Sequence, residues 1–333
     1  MSKSYQVRVR APLRLSLAGG GTDVEPFASM SGSKILNFAI DTFAEASIES
    51  NASSRKGVEV EVFNVNNLEH KSPFTRNFEQ AIRRRMPDER HWKVQITNPV
   101  GSGSGLGTSS AMMVAVRIAI QKIMGLEMIE ELIVNDSFSM ERVEMGISGG
   151  FQDYFPAFHG GFNWIIQKAG SKNRIRKDVL IGKNVQKLLQ DQMFCLALGI
   201  ERKGEDIIKD QVERVRSQKG QTWEALTAQL SLAEKILESI RDDDVSKLLR
   251  FLEESYQIKK KYSPLITNGT INRIERSLIE KGAKGLKISG AGGGGHMYCF
   301  FPSGVPDNLQ EVLPSHTKRA HFKPSWKGWH FVD

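Results

Sequence analysis

Alternating apolar and polar residues mark several strands in the first third of the chain. The run VRVRAPLRLSLAG (7–19) has a period of two, which predicts a β-strand. Similar strand patterns occur at FAEASIES (43–50), VEVEVFNV (58–65) and WKVQITN (92–98). From Ser109 to Met124 apolar residues dominate and Gly125 follows as a stop signal, so a mostly buried helix is expected there. A second helix is expected over residues 129–144.

Beyond about residue 175 the pattern changes to long amphipathic segments. They predict three or four helices, at residues 204–218, 222–242, 245–263 and 270–282. The sequence GLKISGAGGGGHMYCFFP (285–302) then predicts strand, glycine loop and strand, and the tail 321–333 could form a final strand. A β-rich first half and a helix-rich second half closed by strands predict an α+β protein of two domains.

The composition is that of an ordinary globular protein, with 40% apolar and 25% charged residues. The net charge of +8 is spread along the chain, which suits an anionic small molecule, and no basic run with interleaved aromatic residues favours nucleic acid. Cys195 and Cys299 are expected to be buried free thiols in a reducing compartment, with a single disulfide as the alternative. No signal peptide or membrane-spanning run is recognised, so a cytoplasmic protein without a membrane partner is expected.

The stretch NPVGSGSGLGTSSA (98–111) places four glycines directly in front of the first predicted helix. The backbone N–H groups of such a loop can bind an anion, and the helix dipole favours negative charge. No lysine between Lys93 and Arg117 completes a Walker A motif, and neither Gly101 nor Gly103 begins a Rossmann fingerprint. The HRD and DFG motifs of protein kinases are also absent. The residues alone therefore predict an anion site of another kind, with a flexible linker or turn as the alternative.

The segment from Pro99 to Ala111 resembles the phosphate-binding motif of the GHMP kinases, which include galactokinase, homoserine kinase and mevalonate kinase. Three further segments resemble motifs of this family in the family's order: APLRLSLAGGGTD (11–23), ERVEMGISGGFQD (141–153) and KISGAGGGG (287–295). The resemblance implies the α+β two-domain GHMP kinase fold. Its β-rich N-terminal domain (1–175) would have a ribosomal-S5-like architecture and bind ATP, and its C-terminal domain (176–333) would be ferredoxin-like and helix-rich.

The resemblance also implies ATP and Mg²⁺ as cofactors. The residues expected to hold the ATP phosphates are Gly101, Ser102, Gly103, Ser104, Gly105, Leu106, Gly107, Thr108, Ser109 and Ser110. Ser109 and Glu141 are expected to coordinate Mg²⁺, with Glu144 as a competing carboxylate, because hydroxyl and carboxylate oxygens suit this hard cation. The loop expected to close over the phosphates comprises Ser289, Gly290, Ala291, Gly292 and Gly293.

For the transfer itself, the resemblance implies that Asp153 accepts the proton of a sugar hydroxyl or orients it. Arg14 would keep that carboxylate ionised and neutralise charge in the transition state, unless it forms a structural ion pair with Asp23. The expected substrate-binding residues are Arg14, Gly20, Gly21, Thr22, Asp23, Gly150, Asp153, Arg202 and Lys203. Galactokinases carry Glu-His where this chain has Gly20 and Gly21, a departure that argues against galactose.

Within the family, AGGGTD, MERVEMGISGGFQD and AFHGGFNWI resemble the heptose 7-phosphate kinases. This implies transfer from ATP to the anomeric hydroxyl of D-glycero-D-manno-heptose 7-phosphate, for the synthesis of lipopolysaccharide, capsule or other surface glycans. Arg202 and Lys203 either hold the 7-phosphate or form a solvated helix start. Another sugar such as fucose, or a non-catalytic sugar and nucleotide sensor on the same fold, are alternatives. The sugar anomer and the oligomeric state, including a homodimer, stay open.

Overall fold

The computed structural model describes residues 4–50, 56–64, 67–69, 73–200 and 204–333, whose strands form two sheets. The strands of the first sheet are β1 (Tyr5–Ala18), β2 (Ser33–Ser50), β3 (Gly57–Asn64), β4 (Asn67–Glu69), β5 (His91–Asn98), β6 (Phe162–Gln167), β7 (Arg174–Asp178) and β12 (His330–Phe331). The strands of the second sheet are β8 (Met193–Ala197), β9 (Lys284–Ile288), β10 (His296–Phe300) and β11 (Lys318–Ala320).

The long strand β2 is central to the first sheet because it pairs with three neighbouring strands. It pairs antiparallel with β1 along most of its length, with β6 through residues 33–38 and with β5 through residues 45–50. The order is β12-β1-β2-β5-β3-β4, with β3 parallel to β5, and β7 extends the sheet beyond β6. The second sheet is antiparallel throughout, in the order β11-β8-β10-β9.

Helices cover both sheets. The α-helices of the described residues are α1 (Phe27–Ser31), α2 (Pro73–Arg83), α3 (Thr108–Ile123), α4 (Glu130–Phe138), α5 (Tyr154–His159), α6 (Lys183–Asp191), α7 (Gly204–Val215), α8 (Gln221–Arg241), α9 (Val245–Lys259) and α10 (Gly269–Glu280). A π-helical turn, Ser139–Glu144, continues α4, and short 3₁₀ turns lie at Pro264–Ile266 and Leu309–Val312.

The helix α3 lies at the centre of the first core. Met113, Val116 and Ile120 are fully buried, and the helix packs on β1 and β2 as well as on α4 and α5. Of its 16 residues 13 are buried, and a helix that is apolar on nearly all sides is stable only inside a core. Its surroundings therefore fix α3, and with it the position of the glycine loop that leads into its N-terminus.

Polar capping residues begin two helices of the second half. The Asp244 carboxylate accepts from the Lys247 N–H at the start of α9, and the Asn268 side chain accepts from the Thr270 and Ile271 N–H groups at the start of α10. Such caps satisfy backbone donors that the first helical turn leaves without partners. The paired helices α8 and α9 then reach across to the first sheet, where α8 contacts β2 and α9 contacts β1.

The sequence patterns locate most of these elements. The four expected strands correspond to β1, the last part of β2, β3 and β5, and the helix expected from Ser109 corresponds to α3. The α+β architecture is confirmed. The division between residues 175 and 176 stays a proposal, and β7 crosses that position.

Two expectations need correction. The helix expected over residues 129–144 is not a single α-helix, because α4 ends at Phe138 and a π-helical turn follows. The tail 321–333 forms only the two-residue strand β12. Pro324 has no N–H to donate to a neighbouring strand, which disfavours a longer strand in this tail. Gly328 lies close to the Phe158 carbonyl oxygen, and a Cβ there would be 2.2 Å from it.

Cys195 and Cys299 are buried and are not joined by a disulfide, as expected from the sequence. They lie on the neighbouring strands β8 and β10. Burial raises the pKa of Cys195 to about 12, so its thiol stays protonated at neutral pH. Across the described ranges, none of the helices is both long and apolar enough to cross a membrane.

Two glycine loops, one before α3 and one between β9 and β10, meet backbone to backbone. A Cβ on Gly290 would lie 2.6 Å from the Gly105 Cα, and a Cβ on Gly295 would lie 2.6 Å from the Ser104 carbonyl oxygen. Gly290 and Gly295 also have positive φ, +67° and +76°. Both space and conformation therefore require glycine at these two positions.

Two side chains complete the contact between the loops. Ser289 Oγ donates to the Gly105 carbonyl at 2.8 Å, and His296 Nδ1 lies 2.9 Å from the Ser104 carbonyl oxygen. Burial lowers the pKa of His296, and a carbonyl can only accept, so the neutral ring with its proton on Nδ1 fits this position.

This packing predicts an unequal cost for two alanine substitutions at glycines with positive φ. Gly304 has φ +96° and nothing within 4 Å of the place where a Cβ would lie, so Gly304→Ala carries only the conformational cost of about 1 kcal/mol. Gly295→Ala adds the collision with the Ser104 carbonyl and should lower the free energy of unfolding by about 3 kcal/mol. Equilibrium urea unfolding measures both, and equal losses would contradict the steric argument.

Candidate active site

A cavity of about 450 Å³ opens where the glycine-rich motifs meet. Residues from all four motifs line it, together with residues of α7, α8 and α9. This volume lies within the range of small-molecule sites, roughly 300–1,000 Å³. The motifs are far apart in sequence, so the fold alone brings them to one place.

The loop before α3 forms one wall of this cavity. Four alternate glycines, Gly101, Gly103, Gly105 and Gly107, have φ between 73° and 77°. Alternating left-handed residues turn successive backbone N–H groups towards one side, which makes a concave anion site. No side chain caps the N-terminus of α3, so the donors of its first turn and its dipole remain available to an anion.

Arg14 joins three of the motifs through its guanidinium group. Its Nε and Nη2 each lie 2.7 Å from Asp153 Oδ1, and its Nη1 donates to the Gly105 carbonyl at 2.6 Å. Both side chains are largely buried, with 5% and 13% exposed. Arg14 therefore pairs with Asp153, and the alternative ion pair with Asp23 does not form. Asp153 Oδ2 has no hydrogen-bond partner among the described residues and is available to a ligand.

Asp23 is buried beside this pair. Its carboxylate accepts from the Gly21 and Gln152 N–H groups at 3.1 Å and from Gln152 Nε2 at 3.2 Å. Burial and the nearby Asp153 carboxylate raise its pKa. A Cβ on Gly150 would lie 1.9 Å from Asp23 Oδ2, so glycine at this position is what lets the carboxylate reach its place.

The two candidate metal-binding glutamates lie in different surroundings. Glu141 lines the cavity and is almost fully buried, and its Oε2 accepts from Ser110 Oγ and from the Tyr154 hydroxyl, each at 2.7 Å. Glu144 is not part of the cavity wall and pairs with Arg85 at 2.6 Å. Of the two, only Glu141 lies where a metal could contact it together with the glycine loop.

The oxygen donors present fit a magnesium ion. Ser109 lines the cavity and its Oγ has no hydrogen-bond partner in the described part of the chain, where Glu141 Oε1 makes only a 3.4 Å contact with Arg142. A hydroxyl and a carboxylate oxygen are ligands that Mg²⁺ accepts. Within the described ranges no cluster of three or more His, Cys, Asp or Glu side chains could hold a metal, so most ligands would come from phosphate oxygens and water.

The loop expected to close the site packs against the glycine loop before α3. Gly290 and Ala291 line the cavity, whereas Ser289 bonds Gly105 and the Gly293 N–H donates to the Ile266 carbonyl. Lys287, at the start of this motif, is fully buried and donates to the Leu17 carbonyl and to Ser255 Oγ. Burial lowers the pKa of Lys287 to about 7.

Some expected residues do not reach the cavity. The Thr22 hydroxyl donates to the Gly19 carbonyl at 2.7 Å, inside its own turn, so its side chain is not part of the wall. The Leu106 side chain points into the core, and this residue contributes a carbonyl that accepts from the Arg14 N–H at 2.9 Å. Arg202 and Lys203 lie outside the described residues.

Other cavity residues were not among the site residues expected from the sequence. Ser16 and Gln152 line the cavity, and Ser16 Oγ and Gln152 Oε1 are buried with no hydrogen-bond partner among the described residues. Gln211 of α7 also lines it, with its Nε2 donating to the Gly21 carbonyl at 2.9 Å, and so does Gln229 of α8. Ser16 and Gln152 lie inside the motif segments 11–23 and 141–153, where no role was expected for them. The two helical glutamines have no local signal, because only the packing of α7 and α8 brings them here.

Two family models match the chain: GHMP kinases N terminal domain over residues 74–161 and GHMP kinases C terminal over residues 233–319. The chain is 28% identical over 321 residues to a D-glycero-alpha-D-manno-heptose 7-phosphate kinase of Campylobacter jejuni, covering 92% of this chain and 93% of that protein. It is 21% identical over 310 residues to a bifunctional fucokinase/GDP-fucose pyrophosphorylase of Arabidopsis thaliana, covering 87% of this chain and 29% of that protein.

Among solved structures, a D-glycero-D-manno-heptose 1-phosphate kinase from Bacteroides thetaiotaomicron superimposes with a TM-score of 0.74. The match covers 98% of this chain and 99% of that chain at 24% identity, which shows the shared fold. The match to the N-terminal domain model precedes the match to the C-terminal model along the chain, and the two matches together span just over half of the sequence. With the fold and both domain matches in agreement, the chain belongs to the GHMP kinases.

Proposed function

We propose that this chain is an ATP-dependent kinase that phosphorylates the anomeric hydroxyl of D-glycero-D-manno-heptose 7-phosphate. The product would be the 1,7-bisphosphate, on the route to nucleotide-activated heptose and surface glycans. The observation that carries the proposal is the contact of the Asp153 carboxylate with Arg14, in the same cavity as an open glycine loop. The name of the Campylobacter relative supports the choice of sugar.

Asp153 is the proposed base. Arg14 occupies its Oδ1 and leaves Oδ2 without a protein partner among the described residues. The proton of the anomeric hydroxyl passes to Oδ2, the hydroxyl oxygen forms a bond to the γ-phosphorus of ATP, and the bond to the ADP oxygen breaks. Arg14 holds the carboxylate in place, and its positive charge offsets the negative charge that the phosphates bring into the cavity.

The phosphates of ATP would lie against the amides of the loop 101–107 and the N-terminus of α3. Ser109 Oγ and Glu141 would hold Mg²⁺, which when bound supplies positive charge between the phosphate groups. The buried contacts of Ser110 and Tyr154 with Glu141 Oε2 hold that carboxylate in place and leave Oε1 with only its 3.4 Å contact to Arg142 among the described residues. These residues act by position and charge, which is what phosphoryl transfer requires.

The sugar would lie between Asp23 and Asp153. Ser16 Oγ and Gln152 Oε1 are buried in this wall without partners, and burying a polar atom without a hydrogen bond costs about 1–3 kcal/mol. Sugar hydroxyls can donate to both atoms and to Asp23. Arg202 and Lys203 remain proposed partners of the 7-phosphate.

The substrate is tested by measuring ADP release with Mg-ATP and four acceptors in parallel: heptose 7-phosphate, unphosphorylated heptose, fucose and galactose. Turnover with the 7-phosphate alone is the expected result. Turnover with a free sugar alone would keep the kinase and overturn the phosphate pocket. ATP binding without turnover of any acceptor would favour the sensor alternative.

Replacement of the proposed base gives a second prediction. Asp153→Asn should lower kcat by about two orders of magnitude or more, because amide oxygen and nitrogen cannot accept the proton. The dissociation constant of ATP, measured by calorimetry, should change little. Asp307→Asn, at an exposed position outside the cavity wall, is the matched control. Near-normal turnover by Asp153→Asn would exclude this residue as the base.

The close approach of Gly150 to Asp23 predicts a separate effect on the sugar. Gly150 does not have positive φ, so Gly150→Ala leaves the backbone unstrained and displaces the Asp23 carboxylate. The KM for the sugar should rise about tenfold or more, the effect of losing one or two hydrogen bonds to a charged group, while the affinity for ATP is kept. An unchanged KM would show that Asp23 does not contact the sugar.

A further inference from the structure

We propose that Arg142 is a second catalytic guanidinium, which contacts the phosphoryl group during its transfer. The proposal rests on the proposed kinase function but not on the identity of the sugar. Arg142 lies in the motif segment 141–153, but neither the roles expected from the sequence nor the proposed mechanism uses its side chain. Its position, its contacts and the glycine beside it each point to a ligand with strong acceptor oxygens.

Arg142 lies between the two halves of the site. It lies in the π-helical turn that follows α4, and its side chain lines the cavity with 12% exposed. Its Nη2 is near Ser110 Oγ, at the start of α3. Its Nη1 is near the carbonyl oxygens of Ile147 and Ser148, which directly precede Gly149 and Gly150. Ser110, Arg142, Ile147 and Ser148 all line the same cavity, so the guanidinium lies within it between α3 and the segment before Gly149.

All contacts of Arg142 are long. Its terminal nitrogens lie 3.3–3.4 Å from their four acceptors, which include Glu141 Oε1, and its Nε is buried with no partner. Charge-assisted hydrogen bonds of arginine are usually about 2.7–2.9 Å long. Two other buried arginines meet that expectation, since Arg14 contacts Asp153 at 2.7 Å and Arg85 contacts Asp136 and Glu144 at 2.6 Å.

The long contacts of Arg142 carry a cost in free energy. A buried charge is stable only with close, well-aligned partners, and the penalty for poor ones amounts to several kcal/mol. Against the effect of burial, nearby carboxylates, Glu141 first, raise the pKa of Arg142, yet its five donors make no hydrogen bond shorter than 3.3 Å with the described residues. A transferring phosphoryl group carries negative charge on three equatorial oxygens, which would supply the missing acceptors from the cavity side.

Gly149 keeps the space that this guanidinium needs. A Cβ on Gly149 would lie 2.6 Å from both Cζ and Nη1 of Arg142. Gly149 does not have positive φ, so the local backbone conformation does not demand glycine. The absence of a side chain is therefore explained by the position of the guanidinium, and the same feature offers a way to move Arg142 without removing its charge.

A structural role is the competing explanation. Arg142 could serve only to hold Glu141 and the carbonyls of residues 147 and 148 in place. Loss of such a role would lower stability and would affect binding and turnover together. A catalytic contact instead lowers kcat, leaves the ATP and sugar affinities almost unchanged, and responds to a guanidinium ion supplied from solution.

The first experiment compares Arg142→Ala with Arg85→Ala, on whichever acceptor the wild-type enzyme phosphorylates. Arg142→Ala should lower kcat by about 100- to 1,000-fold, the range for losing a charged group that acts in the transition state. The KM values for ATP and sugar should change less than about threefold, since ground-state binding is largely kept. Guanidinium chloride at millimolar concentration should restore kcat by about tenfold. Arg85→Ala should lower the melting temperature and show no such rescue.

The second experiment uses Gly149→Ala, with Gly269→Ala as the control because Gly269 has open space around its Cβ position and no positive φ. Gly149→Ala should lower kcat about tenfold or more at nearly unchanged melting temperature. Gly269→Ala should match the wild type. This variant keeps every charge, so it tests the position of the guanidinium even where Arg142→Ala fails to fold.

Three results would overturn the proposal: an Arg142→Ala enzyme with kcat within about threefold of the wild type, a loss of kcat that guanidinium does not restore, or a Gly149→Ala enzyme with normal kcat. These outcomes differ from failure of the proposed function. A wild-type enzyme that phosphorylates none of the sugars would remove the kinase assignment itself, whereas an active wild type with an equally active Arg142→Ala removes only the second guanidinium.

Discussion

A backbone contact without room for a side chain holds the cavity of this kinase together. The loop before α3 and the loop between β9 and β10 approach so closely that Gly290 and Gly295 cannot carry a Cβ. The first loop follows a strand of the first sheet, and the second loop belongs to the second sheet. The contact therefore holds the loop before α3 on one side, while α3, buried in the first core, holds the end of the loop that leads into the helix. A loop held on two sides loses less conformational entropy when an anion binds, which favours binding by preorganised amides.

Most charged side chains of the cavity wall are buried, and only some of them are well paired. Arg14 and Asp153 form a short ion pair, Asp23 relies on backbone and amide donors, and Arg142 has only long contacts. Lys287 is buried with neutral partners, and its pKa falls to about 7. Such an arrangement is costly for the empty protein. It is consistent with a site in which anionic ligands complete the electrostatic balance.

The sequence predicted the parts of this site that local chemistry determines. Short, recognisable patterns mark the glycine-rich loops, the positions of Asp153 and Glu141, and the helix that follows the loop 101–107. The structure brings these parts to one cavity. What the sequence missed depends on tertiary geometry. The π-helical turn after Phe138 has no distinct pattern, yet it sets the direction of Glu141 and Arg142. Gln211 and Gln229 look like ordinary helix residues until α7 and α8 pack beside the cavity. Thr22 matched the motif, but its hydroxyl is used within its own turn.

The short strand β12 has a consequence for how the protein is made. Val9 and Arg10 of β1 pair with Phe331 and His330, which leave the ribosome roughly 320 residues later. At about 5–20 residues per second this is an interval of roughly 15–60 s. During that time residues 9 and 10 of β1 lack this partner strand, although β2 can already pair with the other side of β1. An unpaired edge strand readily recruits strands of other chains. Chaperones that shield nascent chains should therefore affect the yield of this kinase more than its final stability.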